Sequence, residues 1–292
     1  MKILSFDIEE WYIEKMYHGG RKAEYESFDY YLSEILSCLE QKGAKATFFC
    51  VGGMAREFPE VIKKIAEGGH EIGCHSDAHV WLTKLSQNDL LADTRAAVDS
   101  LEQCIGRKVL SYRAPAFSIG AGNKWAFEIL AQCGIERDAS IFPAERDFGG
   151  FANFGQKVPS IVKCGDAVLK EFPICTAKVL GKEIAYSGGG YFRFFPLWFV
   201  EKEMNKAEYA MTYFHIGDLT PERGGLMSKE EFEEYFKEPG TLINRYKRYV
   251  KSNLGKKSAF SRMVKLINSH DFETLESASK IIDWQNAPVV EL

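Results

Sequence analysis

Only six histidines occur in this chain, and two of them stand four apart in His75-Ser76-Asp77-Ala78-His79. A helical turn through that segment would bring both imidazoles to one side, within reach of one divalent ion. Neutral imidazole suits zinc and similar borderline metals, whereas two unrelated surface histidines are the plainer alternative. A second cluster, Asp7-Ile8-Glu9-Glu10-Trp11, places carboxylates directly behind an apolar run, where charge is costly unless something compensates it. Asp7 and Glu9, two apart, can divide the labour: one carboxylate holds the ion while the other takes a proton from water. A solvated loop is the alternative there.

Arg113 stands in Tyr112-Arg113-Ala114-Pro115-Ala116-Phe117. Pro115 fixes its own φ and biases Ala114 towards extended geometry, so the segment reads as a rigid strand exit. Arg113 is expected to form a bidentate pair with a site carboxylate, an ordinary rim salt bridge being the simpler reading. Asp138 and His215 complete the set, since a histidine held by a carboxylate stays protonated and serves as a general acid. Gly188-Gly189-Gly190-Tyr191 lacks the Lys-Ser/Thr of a phosphate loop and reads as a turn or as backbone approaching substrate.

The elements that must position these residues alternate. Lys2–Phe6, Ala46–Val51, His70–Cys74, Val109–Tyr112 and Ile135–Ala139 read as strands. Between them lie helical patterns over Tyr30–Gln41, Pro59–Glu67, a run opened by Ser86 and Asp89 as a capping box and closed at Gly106, and Trp125–Gln132. Such alternation indicates a parallel sheet with crossover helices. Residues 142–190 are irregular apart from a strand at Val168–Phe172, and Ala210–His215 is again strand-like. Asp7, His75, Arg113, Asp138 and His215 all fall at or just beyond C-terminal strand ends, where parallel α/β architectures build their sites.

Composition sets the outer bounds. The 292 residues are 46% hydrophobic and 27% charged, with a net charge of −4. That balance argues against nucleic acid as the main partner. Arg245, Lys247, Arg248, Lys251, Lys256 and Lys257 read as solvated faces of the helical stretch that follows Ser228. No apolar run reaches the roughly 20 residues of a spanning helix or forms a signal-peptide core, so a cytoplasmic location is expected. The seven cysteines are scattered without a CxxC pair and read as buried small hydrophobes; Cys74 is set aside as a fourth ligand, because neighbours on a strand face opposite ways.

Taken in order, these segments resemble the polysaccharide deacetylases of carbohydrate esterase family four. Phe6-Asp7-Ile8-Glu9-Glu10-Trp11 is similar to the family's first motif, His75-Ser76-Asp77-Ala78-His79 to its HSxxH motif, and Arg113-Ala114-Pro115 to its RxP motif. Asp138-Ala139-Ser140 and Phe214-His215 are similar to the fourth and fifth motifs. Gly188–Arg193 and the basic helical tail resemble a branch associated with exopolysaccharide or O-antigen clusters.

The resemblance implies a distorted (β/α) barrel of about seven parallel strands in a single domain over residues 1–292, with a helical C-terminal extension from about 225. It implies hydrolysis of an N-acetyl group on an amino sugar carried by a nucleotide, a lipid or an oligosaccharide. Asp7 would be the general base, oriented by Arg113, and His215, tuned by Asp138, would protonate the leaving amine. His75 and His79 would hold a divalent ion, zinc first, with cobalt, nickel or manganese as alternatives. A backbone N–H near Ala116 would stabilise the oxyanion, and Trp11, Pro115, Ala116 and Tyr191 would line the substrate site. Ile8 stands where the commoner motif has a ligating aspartate, so Glu9 is the candidate third ligand and Asp7 the alternative. A metal-independent amidohydrolase of the allantoinase kind and a non-catalytic carbohydrate-binding module are the competing functions.

Overall fold

In the computed structural model, residues 1–9, 21–145, 149–220, 225–236 and 238–292 are described. Short runs rich in β-branched and aromatic residues form strands wherever both faces are covered, and most of these are parallel. They are β1 (Lys2–Ile3), β2 (Ser5–Ile8), β3 (Thr47–Cys50), β4 (Glu71–Cys74), β5 (Ser111–Tyr112), β6 (Arg137–Asp138), β7 (Ser160–Cys164) and β8 (Ala167–Glu171). Later come β9 (Thr176–Val179), β10 (Lys182–Ala185), β11 (Ala210–Met211), β12 (Phe214–His215) and β13 (Val289–Glu291). Seven strands run parallel in the order β12-β2-β3-β4-β5-β6-β8, and β7 and β13 continue the same sheet beyond β8. The β7–β8 pair is antiparallel, as is a separate β9–β10 hairpin. Neither hairpin was expected within the irregular stretch 142–190.

The helices are α1 (Arg21–Lys42), α2 (Gly52–Glu57), α3 (Pro59–Glu67), α4 (Gln87–Ile105), α5 (Ala126–Gln132), α6 (Gly189–Phe194), α7 (Leu197–Lys206), α8 (Lys229–Phe236), α9 (Leu242–Asn253), α10 (Lys256–Ser269) and α11 (Leu275–Ile281). Helix α4 starts at the expected capping box, with the Ser86 hydroxyl accepting from the Asp89 N–H, and ends at Gly106 in the left-handed conformation. Helix α1 begins nine residues before the apolar periodicity that announced it at Tyr30. Its first turns, Arg-Lys-Ala-Glu, favour helix by propensity and carry no apolar stripe for periodicity to detect. For Gly188–Gly190 a turn or backbone approaching substrate is expected; Gly188 caps α6, and Gly189 and Gly190 are its first residues.

Register determines which residues meet. His215, Asp7, Phe49 and Gly73 are aligned across β12, β2, β3 and β4, so they share a face of the sheet. Cys74, Tyr112, Asp138 and Glu171 are aligned across β4, β5, β6 and β8 on the opposite face, beneath the helices. The helix-facing core joins Phe6, Phe48, Ile72, Cys74, Tyr112 and Phe214 to the buried faces of α1, α3 and α4. There Phe6 stacks on Phe48 at 5.0 Å between ring centroids. A smaller apolar cluster on the other side contains Ile3, Phe49, Phe117, Phe142, Met211 and Tyr213, and it forms the floor under the site. Burying aromatics of this size contributes on the order of 2 kcal/mol each, which offsets the charge that the strand ends carry.

Candidate active site

Asp7, the third residue of β2, points to the inner face, and Glu9, two residues on, follows it. The alternation that buries Phe6 and Ile8 among the helices therefore aims both carboxylates at one place. Asp7 is 2% exposed and accepts from Arg113 Nη1 at 2.7 Å. Arg113 is itself fully buried, donates Nε to the Ala139 carbonyl at 3.2 Å, and lays its guanidinium over the Phe49 ring at 4.2 Å. The pair is thus one strong bond and not the bidentate fork expected, because Nε is directed to the β6 exit.

The two histidines reach one point by a route other than a helical turn. His75 continues β4, and residues 75–79 form a loop in which Ser76 and His79 take positive φ values of 63° and 56°. Left-handed backbone costs a side-chain-bearing residue about 1–2 kcal/mol, so the loop needs anchors. Gly52 and Gly53 donate to the Ser76 and Asp77 carbonyls, both at 3.0 Å. Asp93 of α4 accepts from the Asp77 and Ala78 N–H groups at 3.0 and 3.3 Å, and Ser76 Oγ accepts from the His79 N–H at 2.8 Å. Arg56 grips the Asp77 carboxylate through both terminal nitrogens, at 2.6 and 2.8 Å. Gly52 must be glycine, since a Cβ there would press into Ala97 and the Asp77 carboxylate.

His75 Nδ1 lies 2.7 Å from the Arg113 carbonyl and donates to it, which leaves Nε2 with its lone pair facing the site. That nitrogen is 2.8 Å from Glu9 Oε2, and His79 Nε2 lies against the same oxygen. One ligand atom each from Glu9, His75 and His79 lies within 4.8 Å of the other two. His79 Nε2 is buried against that carboxylate oxygen. Two buried imidazole nitrogens converging on one carboxylate oxygen are the donor set of a divalent-metal site with two nitrogens and one oxygen. Burial pushes the Glu9 carboxyl up, but the neighbouring charge of His79 and bonds from the three histidines hold it well below the usual carboxylate range.

His215 Nε2 stands 3.2 Å from Glu9 Oε1 and 3.9 Å from Asp7 Oδ2, on the side away from Arg113. Its Nδ1 meets Asp218 Oδ2 at 3.1 Å, and Asp218 Oδ1 meets Arg193 Nε at 3.2 Å. Burial disfavours the His215 cation, yet Asp218 and Glu9 outweigh it and raise the imidazole well above its usual pKa. Burial likewise pushes Asp218 up, and His215 and Arg193 bring it below the ordinary range. The carboxylate expected beside His215 was Asp138, and Asp138 is elsewhere. It lies on the opposite face of the sheet, where it accepts from the Ser140 hydroxyl at 2.6 Å and N–H at 3.0 Å and shares a hydrogen bond with Glu171. Asp218 was missed, although the spacing His215-x-x-Asp218 within a turn is a local signal that can be read.

Pro115, Ala116 and Phe117 form a tight 3-10 turn after Arg113, with Ala116 at φ 55°. Ala114 N–H donates to Ser140 Oγ at 2.8 Å, so Asp138, Ser140 and the Arg113 exit form one bonded chain. Tyr191 is on α6, two residues before Arg193, and is 37% exposed. Trp11 lies outside the described residues.

Residues 22–137 match the polysaccharide deacetylase family, and residues 139–280 match a domain of unknown function designated DUF3473. The two matches abut at Asp138 on β6, in the middle of one sheet that draws strands from both. The polysaccharide deacetylase match covers less than half of the chain, and the fold is the distorted barrel of such deacetylases. Among relatives, a peptidoglycan-N-acetylglucosamine deacetylase of Bacillus cereus is 31% identical over 108 residues, 36% of this chain and 40% of its own. An uncharacterised Bacillus subtilis protein is 34% identical over 102 residues, 35% of this chain and 31% of its own length. The chain thus spans between three and four tenths of the length of these relatives. A Mycobacterium smegmatis structure assigned as a polysaccharide deacetylase superimposes with a TM-score of 0.65 at 17% identity, covering 100% of this chain and 92% of that one. At that identity the likeness is one of fold.

Proposed function

We propose that this protein is a metal-dependent hydrolase that removes the N-acetyl group from an amino sugar in polysaccharide biosynthesis. The observation that carries the reading is the convergence of Glu9, His75 and His79 ligand atoms within 4.8 Å, flanked by Asp7 and His215. The family match and the named deacetylase among the relatives support the same chemistry. Bound by Glu9, His75 and His79, a divalent cation, zinc before cobalt, nickel or manganese, would supply Lewis-acid polarisation of the amide carbonyl.

The remaining work falls to side chains. Asp7 presents Oδ2 as general base, because its Oδ1 is held by Arg113. It takes a proton from the attacking water as the new C–O bond forms. His215, held cationic by Asp218 and Glu9, gives its proton to the sugar nitrogen as the C–N bond breaks, so free amine and acetate leave. The strained turn at Pro115–Phe117 sits at the Arg113 exit and is the candidate source of an oxyanion N–H, at Ala116. Ala116 and Tyr191, with Trp11, are assigned to the substrate surface, whereas Pro115 is buried and shapes the turn behind it; the substrate class is acetylated amino sugars on a nucleotide, lipid or oligosaccharide carrier.

Metal analysis of the purified chain, together with a screen of acetylated amino sugars for released acetate, tests this. One bound ion per chain is expected, lost in His75→Ala and His79→Ala, whereas Asp7→Asn keeps the ion and loses turnover. Hydrolysis without any bound metal would overturn the mechanism. Loss of the ion in Asp7→Asn with retention in Glu9→Gln would reverse the roles of the two carboxylates.

A further inference from the structure

Helix α9 is turned inside out. Its sequence, Leu-Ile-Asn-Arg-Tyr-Lys-Arg-Tyr-Val-Lys-Ser-Asn, is amphipathic, yet none of its residues is buried. Leu242, Ile243, Tyr246 and Val250, with Leu254 just beyond, fall within one arc of about 120° at 3.6 residues per turn. That arc is the one facing solvent: these five side chains are 41–66% exposed. The side towards the body carries Asn244, Arg245, Arg248 and Tyr249, all half-buried. Arg245 donates to the Met227 carbonyl there, and Arg248 pairs with Glu238 at 2.8 Å. Of the basic residues expected on solvated faces, Lys247 and Lys251 are exposed on this helix, whereas Arg245 and Arg248 are half-buried against the body.

Two observations indicate what covers the stripe. Lys247 and Lys251 lie along one edge of the apolar arc, both exposed and without an ion pair among the described residues, and α9 contains no acidic residue. Beyond its C-terminal end α9 packs against α6, which leads into α7. Arg193 Nη1 bonds the Ser252 carbonyl, and a Cβ at Gly255 would press on the Arg193 carbonyl, so the two regions touch. There Phe194 and Trp198 are each 64% exposed. A second copy docked through this face would set lysine against lysine with no acid from α9 to meet them. An anionic bilayer surface satisfies both features, taking the apolar stripe and aromatics into its interfacial zone while the lysines reach phosphate.

We infer that α9, with Phe194 and Trp198, is a peripheral membrane-docking surface for anionic lipid. Among the described residues no helix is long and apolar enough to cross a bilayer, so attachment by these segments is to one leaflet surface. This inference does not depend on the deacetylase reading, and its test involves no activity.

Co-sedimentation of the full chain with sucrose-loaded vesicles provides the measurement. Phosphatidylcholine containing a third phosphatidylglycerol is expected to pull the protein down at low salt, and pure phosphatidylcholine is not. Lys247→Gln with Lys251→Gln should weaken the partition by roughly 25-fold, since each cation near an anionic surface contributes about a factor of five. Tyr246→Glu should weaken it at least roughly tenfold by placing charge within the apolar arc. Both variants change exposed side chains, and unaltered thermal melts establish that they fold. Absence of wild-type binding to the anionic vesicles overturns the proposal. So does binding that both variants retain, or a wild-type dimer that Tyr246→Glu dissociates while vesicles bind neither form.

Discussion

His70 gives the protein a pH-dependent stability that is separate from its site. The ring immediately precedes β4, is 2% exposed, and lies 5.3 Å from the Phe48 ring. Its Nδ1 accepts the Ala46 N–H at 3.3 Å, a bond that only the neutral ring can accept. Burial, with Lys45 adding repulsion, brings its pKa from 6.5 down to about 4. The unfolded chain therefore binds the proton more readily than the folded one. The stabilisation is fully present above pH 6.5 and is lost as pH falls towards 4. A depression of about 2.5 units corresponds to a ceiling of about 3.4 kcal/mol, and about 2 kcal/mol of it is gone at pH 5. For a chain of this size that is about 3 °C in Tm. Urea unfolding at pH 7.5 and pH 5, at constant ionic strength, measures it. His70→Asn retains an acceptor for Ala46 and cannot titrate, so wild type is expected to lose about 2 kcal/mol more than the variant between those pH values. An equal loss in both proteins, or a His70 ring resonance titrating near 6.5, would refute the reasoning.

The buried pair at the base is expected to be unforgiving. Arg113→Met takes from buried Asp7 its hydrogen-bonded counter-charge and should cost about 3–5 kcal/mol in urea unfolding, with turnover lost; Arg113→Lys should not restore turnover, since an ammonium cannot reach both Asp7 and the Ala139 carbonyl. The two candidate partners of His215 are separable by kinetics. Asp218→Asn is expected to lower kcat by about 10²-fold with little change in KM, and Asp138→Asn to act mainly on stability, because its bonds are to Ser140 and Glu171. Glu171 is raised well above the usual carboxylate range by burial and by Asp138 beside it. Its folded form holds a proton that the unfolded chain releases, so it subtracts stability increasingly as pH rises above 4.5. Glu171→Gln copies the protonated form and should be more stable than wild type at pH 8, by a margin that shrinks towards pH 5; a variant less stable at both would contradict a shared proton.

Local pattern was enough for the residues whose partners are set by their own strand. The apolar run before Asp7, the two-residue step to Glu9 and the strand delivering His75 all follow from alternation, which is a property of the chain alone. The α4 capping box was legible for the same reason. What pairs with what was not. Asp138 and His215 both stand at strand ends, but β6 and β12 are far apart in the sheet and present these residues on opposite faces, so the carboxylate beside His215 is Asp218. The meeting of His75 and His79 depends on Gly52, Gly53, Arg56 and Asp93, which hold a left-handed loop that four-residue spacing would have drawn as a helix. The outward apolar stripe of α9 was equally invisible, because periodicity shows that a helix has two faces and only packing decides which one meets the protein. Sequence thus set the chemistry that each strand end carries, through alternation and residue type. The tertiary structure chose the partners, because register and the inward or outward turn of each element are contacts between segments distant along the chain.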